Sequence, residues 1–363
     1  MLEDDVLEPE EGTIIKIVGV GGAGANALEN MISQGLSGAE CIVANTDAHA
    51  LVRSSVPRKL QLGKTGLGAG ANPRLGSAAA QASCHAIRNS LDGAHLLFIV
   101  AGMGGGTGTG AAPVIASIAR EMGILTIGVV SSPFGFEGAK RMQTAKTGIA
   151  ELVRHSDSLI VIPNEKLMLS MGEDADVDTC FQAIDDLLLQ IVGGISGIIL
   201  RQDLVACDFE DIRTVTGDMG LGSIGRGSAV GDKRALIAAE RALASPFLGP
   251  NDLAVARGVA VIISGTRETL RMKEVNEVMN TIKVGLAEDA HIIFGVAHEP
   301  SLGETLRVVV VACSIDASTR PRTPTPTDPM PPGGIGRRIA TLDNLREAGI
   351  DPQQIPDFLR KAS

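Results

Sequence analysis

Leu96-Leu97-Phe98-Ile99-Val100-Ala101 is an unbroken apolar run that leads through Gly102 and Met103 into Gly104-Gly105-Gly106-Thr107-Gly108-Thr109-Gly110, and Ala111 to Arg120 then reads as a helix. An apolar run of this length, closed by glycine, predicts a strand buried on both faces of a parallel sheet. Linkers do not sit between a buried strand and a helix, so the glycines have another purpose. The five glycines and two threonines of Gly104–Gly110 supply backbone N–H groups and hydroxyls that can surround a phosphate chain.

A second cradle lies upstream. Gly19-Val20-Gly21-Gly22-Ala23-Gly24 follows a short apolar run and opens a helix, which lets backbone N–H groups close on an anion at a helix N-terminus. Alone it fits the dinucleotide fingerprint, with Asp47 about 23 residues on as a ribose ligand. A dinucleotide oxidoreductase, however, leaves the second glycine loop unexplained. Gly63-Lys64-Thr65 is no P-loop, because Arg58 stands where that motif needs glycine. Two cradles at one sheet edge imply a di- or triphosphate.

Outward from the cradles, the runs Ile14–Val18, Cys41–Ala44, Leu125–Val130 and Ser158–Ile162 alternate with helix-like stretches, the pattern of βα units over 13–177. From Asp178 to Leu200 apolar residues hold a 3.6-residue period, which predicts a long central helix within 178–203, about 33 Å at 1.5 Å per residue. Gly193, Gly194 and Gly197 would allow another backbone to approach it. A smaller α/β region over 204–316 has strand-like Gly258–Ser264, His291–Val296 and Leu306–Cys313 and no glycine-rich loop, hence no nucleotide. Prolines 321, 324, 326, 329, 331 and 332 mark 317–340 as an extended linker, and 341–363 regains apolar residues as a recognition tail. The opening 1–12 is a solvated acidic arm with six carboxylates.

Composition excludes several classes. The 363 residues carry a net charge of −10 with no Trp, no Tyr and eight Phe, which argues against nucleic-acid binding by charge or stacking. Five scattered cysteines without a Cys-x-x-Cys pair imply reduced thiols in a cytoplasmic protein. The apolar runs are strand-length, so direct membrane insertion is not expected.

Ala101 to Pro113, AGMGGGTGTGAAP, resembles the signature of the tubulin/FtsZ family in its FtsZ form. The similarity extends in order through GVGGAGANA (19–27), NTDAHAL (45–51), GLGAGANP (66–73), PFGFEGAKRM (133–142) and IPNEKL (162–167). The implied fold is α/β and tubulin/FtsZ-like: a parallel-sheet nucleotide-binding domain, a long central helix and a smaller α/β domain with a mixed sheet. The resemblance implies a GTPase that assembles head to tail into a cytokinetic ring, with GTP/GDP as nucleotide and Mg²⁺ held through its phosphates rather than by direct protein ligands. It assigns Gly21, Gly22, Ala23, Gly24, Ala25 and Asn26 to the first phosphate loop. Asn45, Asp47, Gly70 and Ala71 would stand near the terminal phosphates and the metal. Gly104, Gly105, Gly106, Thr107, Gly108 and Thr109 would grip the α- and β-phosphates. Glu137 and Arg141 match ribose and phosphate contacts, Asn164 and Asp185 the guanine contacts, and Phe181 a ring against the base. A carboxylate accepting from two guanine N–H groups rejects adenine.

None of these loops supplies a group to position the attacking water. In the FtsZ pattern an acidic loop from the next subunit does so, and Asp208 and Asp211 match it. Their spacing also fits an acidic capping box at a helix start. Ala206 stands where an Asn is usual, and only Lys64 and Thr65 separate Gly63 from Gly66. These departures bear on the hydrolysis rate and keep open a second reading, a GTP-binding scaffold filament with weak hydrolysis. The tail residues Ile355, Phe358, Leu359 and Arg360 resemble a peptide that docks division partners, including membrane tethers, at the division site.

Overall fold

The apolar run becomes the middle of a parallel sheet. The computed structural model describes residues 12–171, 176–200, 213, 220–249, 251–287 and 290–314. Strand β4 (Leu96–Gly102) pairs in parallel with β1 (Ile15–Val20) on one side and β5 (Leu125–Ser132) on the other. Beyond them, β2 (Ala39–Asn45) and β3 (Arg58–Gln61) extend one edge and β6 (Ser158–Pro163) the other, again in parallel.

Every side chain from Leu96 to Ala101 is buried, because the sheet is covered on both faces. Leu96, Phe98 and Val100 point into one core and Leu97, Ile99 and Ala101 into another. The first core is closed by α1 (Gly21–Ser33) and α8 (Val177–Leu200), the second largely by α3 (Pro73–Ala82), α4 (Cys84–Leu91), α5 (Thr107–Glu121) and α6 (Ala139–Leu152). The short α2 (Ala48–Arg53) follows β2, and α7 (Asn164–Met171) follows β6.

The central helix α8 spans 24 residues, about 36 Å. Its buried stripe, including Ile184, Leu188, Ile191 and Ile195, packs with Ile160 of the first region and with Ile262, Val309 and Val311 of the second. A Cβ on Gly194 would come within 3.0 Å of Ile262, so the approach that this glycine permits is to a side chain and not to a backbone.

In the second region β7 (Gly220–Ala229) pairs in parallel with β6, so the described strands form one ten-stranded sheet in the order β3-β2-β1-β4-β5-β6-β7-β10-β8-β9. Strand β10 (Leu306–Ser314) runs antiparallel to β7 and to β8 (Gly258–Gly265), which pairs in parallel with β9 (His291–His298). This mixed half matches the expected fold class, but β7 was not anticipated. Its sequence, GLGSIGRGSA, lacks strand-like apolar alternation because its glycines admit the backbone of α9 (Arg234–Leu243). A Cβ on Gly227 would lie 2.0 Å from the carbonyl oxygen of Ala238. With α9, α10 (Asp252–Val255) and α11 (Met272–Lys283) cover this face in a third core.

No helix of the described residues is long and apolar enough to cross a membrane. The arm but for Gly12, the linker, the tail with Ile355, Phe358, Leu359 and Arg360, and Ala206, Asp208 and Asp211 lie outside the described residues.

Candidate functional site

Parallel strands align their carboxyl ends, and the register pairs Val20 with Ala101 and Gly102 with Ser131. The loops after β1, β4 and β5 therefore meet at one edge, where a cavity of about 560 Å³ opens.

Its phosphate-like end is built from two helix starts. Helices α1 and α5 begin there with no side-chain cap and no acidic residue in their first turns. Their first N–H groups and the positive ends of their dipoles are thus left for an anion. By contrast Asp47 caps α2, accepting from the N–H groups of His49 and Ala50, and Asn72 caps α3. The glycines divide into two kinds. A Cβ on Gly22 or Gly105 would meet nothing within 4 Å, which leaves open room where those residues border the cavity. A Cβ on Gly108 would lie 2.5 Å from the carbonyl oxygen of Gly102, so that glycine serves packing as well.

Of the expected residues, Gly21, Gly22, Ala23, Asn26, Gly105, Gly106, Thr107, Gly108, Glu137, Arg141, Asn164, Phe181 and Asp185 line the cavity. Gly24, Ala25, Asn45, Asp47, Gly70, Ala71, Gly104 and Thr109 do not. Thr109 is buried and its hydroxyl accepts from the N–H of Gly104 at 2.8 Å, which braces the loop from within. Asn45 accepts from the Asp47 N–H at 3.2 Å. Gly70 and Ala71 belong to the exposed loop before α3, and Ala71, at φ 56°, is the only non-glycine with positive φ among the described residues. Such strain persists where the surroundings enforce it. Here the second glycine loop presses on that segment, since a Cβ on Gly106 would lie 2.8 Å from the Cβ of Ala69.

The other end is shaped for a planar polar ring. Asn164, at the start of α7, is buried and its Oδ1 has no hydrogen-bond partner. Burial, with a smaller contribution from Asp186, pushes the Asp185 carboxyl up to about 6. Phe181 stands one turn earlier, 48% exposed, with its ring edge-on to buried Phe134 at 5.5 Å. Glu137 accepts from the Phe134 N–H at 2.9 Å and pairs with Arg141 at 2.8 Å, so these two expected ligands hold each other. An unpaired amide oxygen and a carboxylate beside an open aromatic face suit a base that offers several N–H donors.

Sequence reading missed Thr46, whose buried hydroxyl bonds that of Thr107 at 2.6 Å, and Ser131 and Ser132 in the cavity wall. The serines end β5, and the rule that ligands sit at strand carboxyl ends would have found them.

Comparison with known proteins agrees with this geometry. Residues 14–172 match the model of the Tubulin/FtsZ family GTPase domain and 220–316 that of the FtsZ family C-terminal domain. The cell division protein FtsZ of Wigglesworthia glossinidia brevipalpis is 44% identical over 322 residues, 87% of this chain and 84% of its own. That of Caulobacter vibrioides strain NA1000 / CB15N is 47% identical over 308 residues, 84% of this chain and 60% of its own. Among solved structures, an empty FtsZ dimer from M. jannaschii superposes with a TM-score of 0.80 at 37% identity, covering 84% of this chain and 89% of that one. CetZ2 from Haloferax volcanii shares the fold at a TM-score of 0.70 and 21% identity, covering 84% and 94%. Most of the cavity lining lies within the part of the chain that matches the GTPase domain, and the chain belongs to the tubulin/FtsZ family of GTPases.

Proposed function

We propose that this GTPase is a cell-division protein that assembles head to tail into filaments and hydrolyses GTP at the junctions between subunits. One observation carries the shared-site reading. The two carboxylates lining the described cavity are Glu137 and Asp185. Glu137 is held by Arg141 and the Phe134 N–H, and Asp185 sits among the groups suited to a base. Phosphoryl transfer depends on positioning a water in line with the bond that breaks. Among the described lining residues nothing is left over for that task. A neighbouring subunit supplies it, through Asp208 and Asp211 inserted at the phosphate end.

In this reading the N–H groups opening α1 and α5 hold the phosphates, Asn164 and Asp185 read guanine, and Phe181 covers the base. Mg²⁺ would be held through the nucleotide phosphates rather than by protein ligands and would supply positive charge there. The chain's own residues orient the nucleotide and exclude the wrong base. The tail, through Ile355, Phe358, Leu359 and Arg360, recruits division proteins and membrane tethers at the division site.

Phosphate release measured beside GTP-dependent pelleting tests this. The wild type should release phosphate at a rate per molecule that climbs with protein concentration as filaments form. Asp211→Ala should bind GTP as the wild type does, still pellet, and release little phosphate. A rate per molecule independent of concentration, or weakened GTP binding by monomeric Asp211→Ala, would contradict the shared site. Pelleting with only slow release by the wild type would favour the scaffold reading, in which Ala206 leaves an amide missing.

A further inference from the structure

Two hydroxyls meet beside the glycine loops, and only one of them borders the cavity. Thr107 is the first residue of α5 and lines the cavity. A Cβ on Gly21, which opens α1, would lie 3.4 Å from the Thr107 Cβ, so this side chain stands where the two helix starts touch. Its hydroxyl is 2.6 Å from that of Thr46, which follows β2, is 3% exposed and does not line the cavity.

Burial sets the direction of this hydrogen bond. A threonine hydroxyl carries one proton, so the pair uses one proton between its two oxygens and leaves the other over. If Thr107 donated, the leftover proton would be on buried Thr46, whose hydroxyl has no second partner among the described residues. A buried donor without an acceptor is unfavourable. With Thr46 as donor, the leftover proton is on Thr107 and can turn toward the cavity. The backbone around Thr46 is also fixed. Its carbonyl accepts from the Gly68 N–H at 3.0 Å, and the Ala48 N–H donates to the Gly66 carbonyl at 3.0 Å, which clips the end of β2 to the loop that packs on Gly106.

We propose that Thr46 is a positioning residue for the nucleotide phosphates: it donates to Thr107 and so fixes the Thr107 hydroxyl as a donor toward a phosphate oxygen. A hydroxyl that turned its lone pairs to the phosphate would repel it. The bond from Thr46 occupies one of those lone pairs and polarises the remaining O–H, because hydrogen bonds in a chain strengthen one another. The N–H groups opening α1 and α5 attract any anion; this hydroxyl adds a direction. Thr46 touches no ligand and acts through Thr107 alone, and the base end with Asn164 and Asp185 does not depend on it. The inference rests on the reading that seats the phosphates on the starts of α1 and α5.

Calorimetry of the full-length chain with GDP, beside displacement of a fluorescent GDP analogue by guanosine, separates the two ends of the ligand. Thr46→Val keeps the shape and removes the hydroxyl. It should weaken GDP binding by about three- to tenfold, the worth of one hydrogen bond, and leave guanosine binding unchanged. Thr46→Ala, which removes the hydroxyl with less bulk, should agree, and Thr46→Ser should restore GDP affinity. In a double-mutant cycle Thr46→Val should add no further loss to Thr107→Val, because its effect passes through that hydroxyl. An equal loss for guanosine would make Thr46 a structural brace and overturn the proposal, as would additive losses in the cycle or failure of Thr46→Ser to restore binding. A wild type that binds no guanine nucleotide would sink the GTP reading, whereas wild-type GDP affinity that both Thr46→Val and Thr46→Ala retain would sink this inference alone.

Discussion

Two buried polar clusters, one in each half of the sheet, are built in opposite ways. In the second region Arg234 is enclosed, and its guanidinium donates to both Glu274 carboxylate oxygens, at 2.7 and 3.1 Å, and to the carbonyls of Thr269 and Glu304. Burial opposes the Glu274 charge, but the hydrogen bonds from Arg234 and from the Arg271 N–H outweigh it and hold the carboxyl below its usual range. In the first region Asn164 keeps an orphaned oxygen and Asp185 is pushed up to about 6. Satisfied groups hold a fold together; unsatisfied ones wait for a ligand. Removing one member of each kind should therefore change stability with opposite sign.

The largest effect is expected at the satisfied pair. Arg234→Met strands a buried carboxylate and should cost about 3–5 kcal/mol in urea unfolding, whereas Arg234→Met with Glu274→Leu should recover most of the loss. A double variant as unstable as the single one would break the contrast. Because the Glu274 carboxyl is depressed, its contribution is fully present above its unfolded value and should vanish as pH falls through about 4 and below.

Asp185→Asn should do the reverse. A carboxyl whose folded value is raised opposes folding once it ionises, so nucleotide-free Asp185→Asn should be no less stable than the wild type at pH 7. Its GTP affinity, measured by calorimetry, should fall by about 2–3 kcal/mol, the worth of hydrogen bonds to a charged group. Loss of stability without loss of affinity would make Asp185 a structural residue. The pH dependence is smaller. In the proposed role Asp185 must be ionised to accept from guanine, so affinity should drop about tenfold between pH 7 and pH 5 in the wild type and stay flat in Asp185→Asn. Over the same interval the nucleotide-free fold gains stability from this group as it protonates.

What was legible follows from the range of the interactions concerned. Strands β1, β2, β4, β5 and β6 could be read because a doubly covered parallel strand is apolar at successive positions, and α8 because its stripe keeps one period for 24 residues. Strand β3, Arg58-Lys59-Leu60-Gln61, is short, mostly polar and largely exposed, and β7 is made of glycines selected by a helix that packs on it. Neither carries a local signal. The site divides likewise. The glycine loops are legible in single stretches and Asn164 and Asp185 only through the family resemblance, but the Thr46–Thr107 hydroxyl contact joins residues 61 positions apart, and Ser131 reaches the cavity only through the strand register. Asp47 shows the opposite hazard. Expected as a nucleotide ligand, it is the cap of α2, the local role favoured for an Asp just before a helix.

The finest test of the contrast is Thr109, which belongs to the nucleotide region by sequence yet is satisfied like the second region. Its hydroxyl holds the Gly104 N–H within a buried contact, so Thr109→Val keeps the shape and orphans that donor, at about 1–2 kcal/mol. The loss should appear first in the nucleotide-free protein, as faster amide exchange at Gly104, and only secondarily as a several-fold weaker GTP affinity. Thr109→Ser retains the hydroxyl and should restore both. If Thr109 instead gripped a phosphate directly, Thr109→Val would lower affinity while leaving Gly104 exchange in the empty protein untouched. The order of the two effects thus separates a residue that binds nucleotide from one that shapes the loop that does.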